Sequence, residues 1–198
     1  MKKRIGILAL QGSFREHAET ILRLKEELKV EPVLVKLPRQ LEKIDALIIP
    51  GGESTTIWKL LKTYKFIEGI KTLAREGLPI YGTCAGMIIL SKRIEGNNTV
   101  SSLSPMGLID ITVRRNAFGR QLESFEEDLN IPVLGEQPVR GVFIRAPLIE
   151  KAGPHVKVIA RLRDSTIVAA EEKNILVSAF HPELTQDIRF HRYFINRI

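Results

Sequence analysis

Leu78-Pro79-Ile80-Tyr81-Gly82-Thr83-Cys84-Ala85-Gly86-Met87-Ile88-Ile89-Leu90 decides how this chain is read. Residues 78–81 have the pattern of a buried strand and residues 85–91 that of a helix, with almost nothing between them. The junction is G-x-C-x-G, the cysteine counterpart of the G-x-S-x-G nucleophile elbow. A strand-to-helix turn this sharp holds Cys84 in a strained conformation, and side chains at Gly82 and Gly86 would collide with neighbouring backbone. The thiol then projects above a sheet, beside a helix N-terminus that suits an ionised nucleophile. The backbone N–H of Ala85 is placed there to stabilise an oxyanion.

Working outward, strands and helices alternate upstream of the elbow. Residues 4–10, 32–37 and 46–49 read as strands, and 14–28, 54–64 and 66–75 as helices, the last closed by Gly77. Ser13 is a plausible cap for the first helix, where Ala18, Ile21, Leu24 and Leu28 recur at helical spacing. Downstream, residues 108–113, 139–144, 156–160, 167–170 and 175–179 read as strands joined by short turns, several of them antiparallel. Residues 123–135 form an acidic, poorly periodic stretch read as a loop or short helix, and a last helix is expected over 186–196. The pattern predicts one α/β domain over residues 1–198, an open, mostly parallel sheet flanked by helices with antiparallel additions. Sites in such sheets lie at the carboxyl ends of the strands.

Composition narrows the class. Hydrophobic residues make up 44% and charged residues 27% of the 198, the balance of a soluble globular protein. No apolar run approaches the roughly 20 residues of a membrane span, and the opening Met1-Lys2-Lys3-Arg4 leads into a core strand instead of a signal peptide. The cytoplasm is the expected location, with no membrane partner. The net charge of +7 raises nucleic acid as a partner. Its bases are scattered among acids, however, and no nucleic-acid-binding motif accompanies them, so none is expected. Cys84 is the one cysteine, which excludes an intramolecular disulfide and a multi-cysteine zinc site. By itself a lone cysteine is most often a small buried hydrophobe; its place in the elbow argues for chemistry.

A thiol nucleophile needs a base. Of the four histidines, His17 and His191 fall inside helices and read as surface or packing residues, and His155 falls in an exposed turn. His181 ends the strand 175–179 and is followed by Pro182 and Glu183. Residues two apart in an extended segment point the same way, so Glu183 can orient His181 as the third member of a triad. After the strand 46–49 comes Pro50-Gly51-Gly52-Glu53-Ser54-Thr55-Thr56. It lacks the P-loop lysine and G-x-G-x-x-G, which weakens a phosphate-binding reading. Alternatively Gly51 and Gly52 let backbone approach a substrate carbonyl, Glu53 and Ser54 bind its polar ends, and Arg115 and Arg145 are candidates for a carboxylate.

These residues resemble a family. Gly82-Thr83-Cys84-Ala85-Gly86 with His181-Pro182-Glu183 resembles the triad-type (class I) glutamine amidotransferases, which have a flavodoxin-like sheet. Ala9-Leu10-Gln11-Gly12, the stretch 50–56, Arg115-Asn116-Ala117-Phe118-Gly119-Arg120-Gln121 with Ser124-Phe125, and Phe143-Ile144-Arg145-Ala146-Pro147 are similar to the glutaminase subunits of pyridoxal 5'-phosphate synthase. The resemblance implies a catalytic triad of Cys84, His181 and Glu183, an oxyanion site at Gly52 and Ala85, and glutamine-binding positions at Gly52, Glu53, Ser54, Arg115, Ile144 and Arg145. It implies hydrolysis of L-glutamine without metal or organic cofactor. It further implies a hetero-oligomeric complex in which ammonia passes to a barrel-shaped synthase (lyase) subunit, with Gln11 and Gly12 near the docking face. A glutaminase subunit serving another pathway would share the triad and lack the block 115–125. A silent binding protein on the same scaffold would have lost a triad member or a loop glycine.

Overall fold

The computed structural model describes residues 2–95, 103–115 and 124–198. Its strands are β1 (Lys3–Leu8), β2 (Val30–Val35), β3 (Ala46–Ile49), β4 (Ile80–Thr83), β5 (Ser91–Glu95), β6 (Ile109–Arg114), β7 (Ser124–Leu129), β8 (Val139–Ile144), β9 (Leu148–Ala152), β10 (Lys157–Arg161), β11 (Ile167–Glu172) and β12 (Ile175–Ser178). Its helices are α1 (Phe14–Arg23), α2 (Lys25–Leu28), α3 (Ser54–Thr63), α4 (Ile67–Arg75), α5 (Ala85–Leu90) and α6 (Arg189–Ile195). Ten strands form one sheet with the path β2-β1-β3-β4-β12-β11-β9-β6-β5, and β10 pairs β11. The run β2 to β12 is parallel, whereas β11 meets β12, β9 and β10 antiparallel. The expected α/β class, mostly parallel with antiparallel additions, is the observed one.

Burial explains the parallel half. Every residue of β3, β4 and β12 is buried, as required of strands covered by helices on both faces. Helix α1 turns Ile21 inward, with Leu24 just beyond its end, both fully buried. The expected single helix over 14–28 is broken at Leu24 and ends at Lys29, whose φ of 52° terminates α2. At α3 the cap is Glu53, whose carboxylate accepts from Thr55 N and Thr56 N.

The antiparallel half departs more from expectation. The stretch 123–135, read as a loop or short helix, contains strand β7, paired with β8 in a separate ribbon; residue 123 itself lies outside the described residues. Alternating exposure along β7 is a strand period that its acidic composition obscured. Strands β5 and β9 were not anticipated; both carry charged side chains at positions that lack a clean apolar alternation. Phe125 and Phe143 stack across the ribbon at 4.5 Å, and Phe143 meets Phe180 edge-on at 5.9 Å. One bond from His181 N to Val142 O (2.9 Å) ties the ribbon to the end of β12. Fully burying an aromatic like Phe143 is worth roughly 1.5–3 kcal/mol, against about 1 kcal/mol for a hydrogen bond. Packing therefore holds the ribbon, and the hydrogen bond sets where His181 sits.

Candidate active site

Four parallel strands deliver the site at their carboxyl ends: β1 leads to Gln11-Gly12-Ser13, β3 to Gly51-Gly52-Glu53, β4 to Cys84 and β12 to His181. Together they open onto a cleft of about 440 Å³, also lined by Ser54, Ala85, Ile88, Arg115, Ile144, Arg145 and Leu184. The ten catalytic, oxyanion and glutamine-binding candidates meet here, nine of them in the cleft wall; Glu183 lies behind His181. The rest of the block similar to the family, residues 116–121, lies outside the described residues.

Cys84 has φ 47° and ψ −99°, a left-handed conformation costly for a residue with a Cβ. Its N–H is held by Ser178 O at 2.7 Å. His181 Nδ1 lies 2.7 Å from Glu183 Oε1, and Cys84 and His181 face the same glycine, since a Cβ on Gly51 would lie 3.4 Å from Cys84 Cβ and closer still to the His181 ring. Burial lowers the pKa of His181, but the neighbouring Cys84 and Glu183 outweigh it and lift it to about 10. Burial likewise raises Glu183, and His17, His181 and Ser13 overcome it to hold the carboxyl at about 2. A histidine between a thiol and a carboxylate is an arrangement that can serve acyl transfer. His181 caps a 3-10 turn, Pro182–Leu184, that carries Glu183, so the pair does not meet within the extended segment expected from sequence.

Gly51 faces His181 so closely that a Cβ there would lie 2.3 Å from its Cε1. Gly12, at φ +101°, packs on the same loop, and a Cβ on it would sit 1.8 Å from Gly51 O. Ser13 N donates to Gly51 O (3.0 Å), and Gln11 Oε1 accepts from Glu53 N (2.9 Å). The Gly-Gly loop is thus fastened from one side by residues 11–13. The carboxylate of Glu53 is engaged by the Thr55 and Thr56 hydroxyls and N–H groups, which hold it at about 2 against the opposing effect of burial. Arg115 Nη2 stands 4.0 Å from it. Arg145 turns out of β8 with φ 42°, and Ile144 is exposed at the mouth. Among the described residues, no group of three His, Cys, Asp or Glu side chains is arranged to hold a metal ion, and no helix is long and apolar enough to cross a membrane.

Sequence reasoning missed two residues. Ser13 occupies the cap position of α1 but makes no cap hydrogen bond; its Oγ donates to Glu183 Oε1 at 2.7 Å. His17 is fully buried, 3.5 Å from the same oxygen through Nε2. The available signal was its spacing of four from Ile21, on the stripe that faces the sheet. His191 is fully buried too, and its Nε2 lies 2.8 Å from His17 Nδ1.

Two buried neutral imidazoles make stability pH-dependent. Burial lowers His17, with Glu183 opposing, and burial and then His17 lower His191 to about 3. A base whose folded pKa is depressed binds its proton more readily when unfolded. Stability therefore falls as pH drops below about 6.5. Glu183 adds its own loss only between about 4.5 and 2. Substituting His191→Gln, which keeps a donor for His17, should flatten the decline between pH 6.5 and 4.5 by about 1.4 kcal/mol per pH unit. Urea unfolding at pH 6.5, 5.5 and 4.5 checks this; an unchanged slope would show that His191 is not buried neutral.

Residues 7–198 match the profile of the SNO glutamine amidotransferase family. The chain is 53% identical over 195 residues to the Pyridoxal 5'-phosphate synthase subunit PdxT of Carboxydothermus hydrogenoformans, covering 98% of this chain and 97% of that one. It is 54% identical over 191 residues to the protein of the same name from Herpetosiphon aurantiacus, covering 96% and 98%. A crystal structure of a glutamine amidotransferase superposes with a TM-score of 0.88 at 45% identity, covering 98% of this chain and 97% of the other. A glutamine amidotransferase from Thermotoga maritima, at 12% identity and a TM-score of 0.66 over 99% of this chain and 84% of that one, shares the fold.

Proposed function

We propose, from the premise that this chain belongs to the SNO glutamine amidotransferase family, that it hydrolyses L-glutamine to L-glutamate and ammonia with Cys84, His181 and Glu183 and delivers the ammonia to a synthase subunit that makes pyridoxal 5'-phosphate. The observation that carries the chemistry is the strained Cys84 facing Gly51 together with a His181 that is itself 2.7 Å from Glu183. The names of relatives at 53–54% identity support the pathway.

In this reading Cys84 Sγ attacks the side-chain amide carbon of glutamine while His181 holds the thiol proton. Backbone N–H groups of Gly52 and Ala85 take the oxyanion. His181 then gives its proton to the leaving nitrogen, ammonia departs, and a γ-glutamyl thioester remains. Water, losing a proton to His181, attacks the thioester carbonyl and releases glutamate with the thiol restored. Glu183 keeps His181 oriented through both steps. Arg115 and Arg145 are positioned at the cleft to meet the α-carboxylate of the substrate, and Glu53, Ser54 and Ile144 complete its walls. The partners are glutamine and the synthase subunit, the assembly is hetero-oligomeric, and the cytoplasm is where we place it.

The test is glutamate release from glutamine, measured for the protein alone and with a pyridoxal 5'-phosphate synthase subunit. Strong activation by the synthase is expected. Robust activity that the synthase leaves unchanged would keep the triad and reject the partner. Silence in both conditions, with association of the two subunits demonstrated, would reject the glutaminase reading.

A further inference from the structure

The triad carboxylate is held by more than the triad. Glu183 is enclosed, with no exposed side-chain surface, and its Oε2 has no hydrogen-bond partner among the described residues. Its charge is therefore answered on Oε1 alone, by His181 Nδ1 and Ser13 Oγ at 2.7 Å each and by His17 Nε2 at 3.5 Å. His17 Nε2 also lies 3.1 Å from Thr83 Oγ1, the residue before the nucleophile. On the far side, His17 Nδ1 is 2.8 Å from His191 Nε2, and His191 Nδ1 is buried without a partner among the described residues.

Only one arrangement of protons suits this row. If His17 carried its proton on Nδ1, a bare Nε2 lone pair would face the Glu183 carboxylate, and His191 would bury an N–H on Nδ1 with nothing to accept it. Placing the proton on Nε2 of both rings reverses each fault. His191 Nε2–H then donates to His17 Nδ1, and His17 Nε2–H points at Thr83 Oγ1 and Glu183 Oε1. The unpartnered His191 Nδ1 becomes a lone pair, which is less costly to bury than an unpaired donor. We infer that His17, set in its Nε2–H tautomer by His191, is a positioning residue that steadies Glu183 opposite His181 and links it to the turn bearing Cys84. This rests on the triad reading given above. The titratable neighbours of the row pull both ways: burial and His181 keep a second proton off His17 against Glu183 and Glu16, and burial, His17 and Arg23 keep it off His191 against Glu183.

The experiment compares His17→Leu, which deletes the donor, with His17→Gln, whose side-chain amide N–H can replace it. Glutamine hydrolysis is measured in the complex with the synthase subunit. His17→Leu should lower kcat about 10- to 100-fold with KM for glutamine nearly unchanged. It should also move the alkaline limb of kcat/KM, which reports loss of the His181 proton, to lower pH; His17→Gln should restore most of both. Wild-type kcat and an unmoved limb in His17→Leu would overturn the inference. Should that variant not fold, long-range 1H–15N spectra of the histidine-labelled native protein still decide. Nε2–H tautomers for His17 and His191 between pH 6 and 8 are expected, and an Nδ1–H tautomer at His17 overturns it. Cys84→Ala and Glu183→Gln run in the same assay separate the two readings. Full activity in those variants rejects the triad itself, while their loss alongside an unaffected His17→Leu rejects only the role of His17.

Discussion

Cys84→Ala is expected to abolish glutamate release, by on the order of 10⁴-fold or more, while the protein stays folded and still associates with the synthase. Among the described residues, the sulfur is the cleft nucleophile set on a strained turn and sharing the face of Gly51 with His181; Ser13 Oγ is committed to Glu183, and Ser54 is buried at the start of α3. Without the thiol no thioester forms, and the oxyanion donors have no tetrahedral centre to stabilise. Alanine also lacks the β-substituent that packs here, yet a cysteine is small, so little stability is lost. Glu183→Gln belongs to the same test. Its amide would retain the shape but lose the charge that His181 answers, leaving a weak remnant roughly 10²- to 10⁴-fold down. Initial rates with a coupled glutamate assay, alongside circular dichroism of each variant, measure both. Full turnover in Cys84→Ala would end the covalent mechanism.

Gly86→Ala is the substitution expected to damage the fold most. A Cβ on Gly86 would lie 2.1 Å from Ile49 O, a backbone atom of the central strand β3. Neither partner has a soft side chain to move: α5 is buried along its whole length, and β3 is paired on both edges. Relief requires shifting a helix against a sheet, which puts the change in the class above about 4 kcal/mol. Ordinary domains have only about 5–15 kcal/mol in total. The expected result is a protein recovered largely insoluble, or one whose urea midpoint falls far below that of the parent. A Gly86→Ala variant with a near-native midpoint would show that the elbow can relax in a way the structure does not suggest.

The two predictions bear on different kinds of information. Gly82-Thr83-Cys84-Ala85-Gly86 is a local device: five consecutive residues state the turn, its strain and its proposed nucleophile, and the strand and helix periods on either side place it. His181 and Glu183 are two apart, so their partnership was legible even though the turn that joins them is a 3-10 turn and not a strand. The parallel half of the sheet was legible for a similar reason, since fully buried strands are short apolar runs. Strands β5, β7 and β9 were not, because charged side chains on exposed faces leave no apolar alternation to read.

By itself the sequence determined the α/β class and marked Cys84, His181 and the Gly-Gly loop as candidates, all features whose physical cause lies within a few residues of chain. Only the tertiary structure decided that Ser13 leaves its helix cap for Glu183, 170 residues away, and that His17 and His191, 174 apart, meet behind the triad. Those contacts follow from which strand ends the sheet order places side by side. A serine before a helix and a histidine on its inner stripe have the same local pattern whether they cap, pack or hold a catalytic carboxylate.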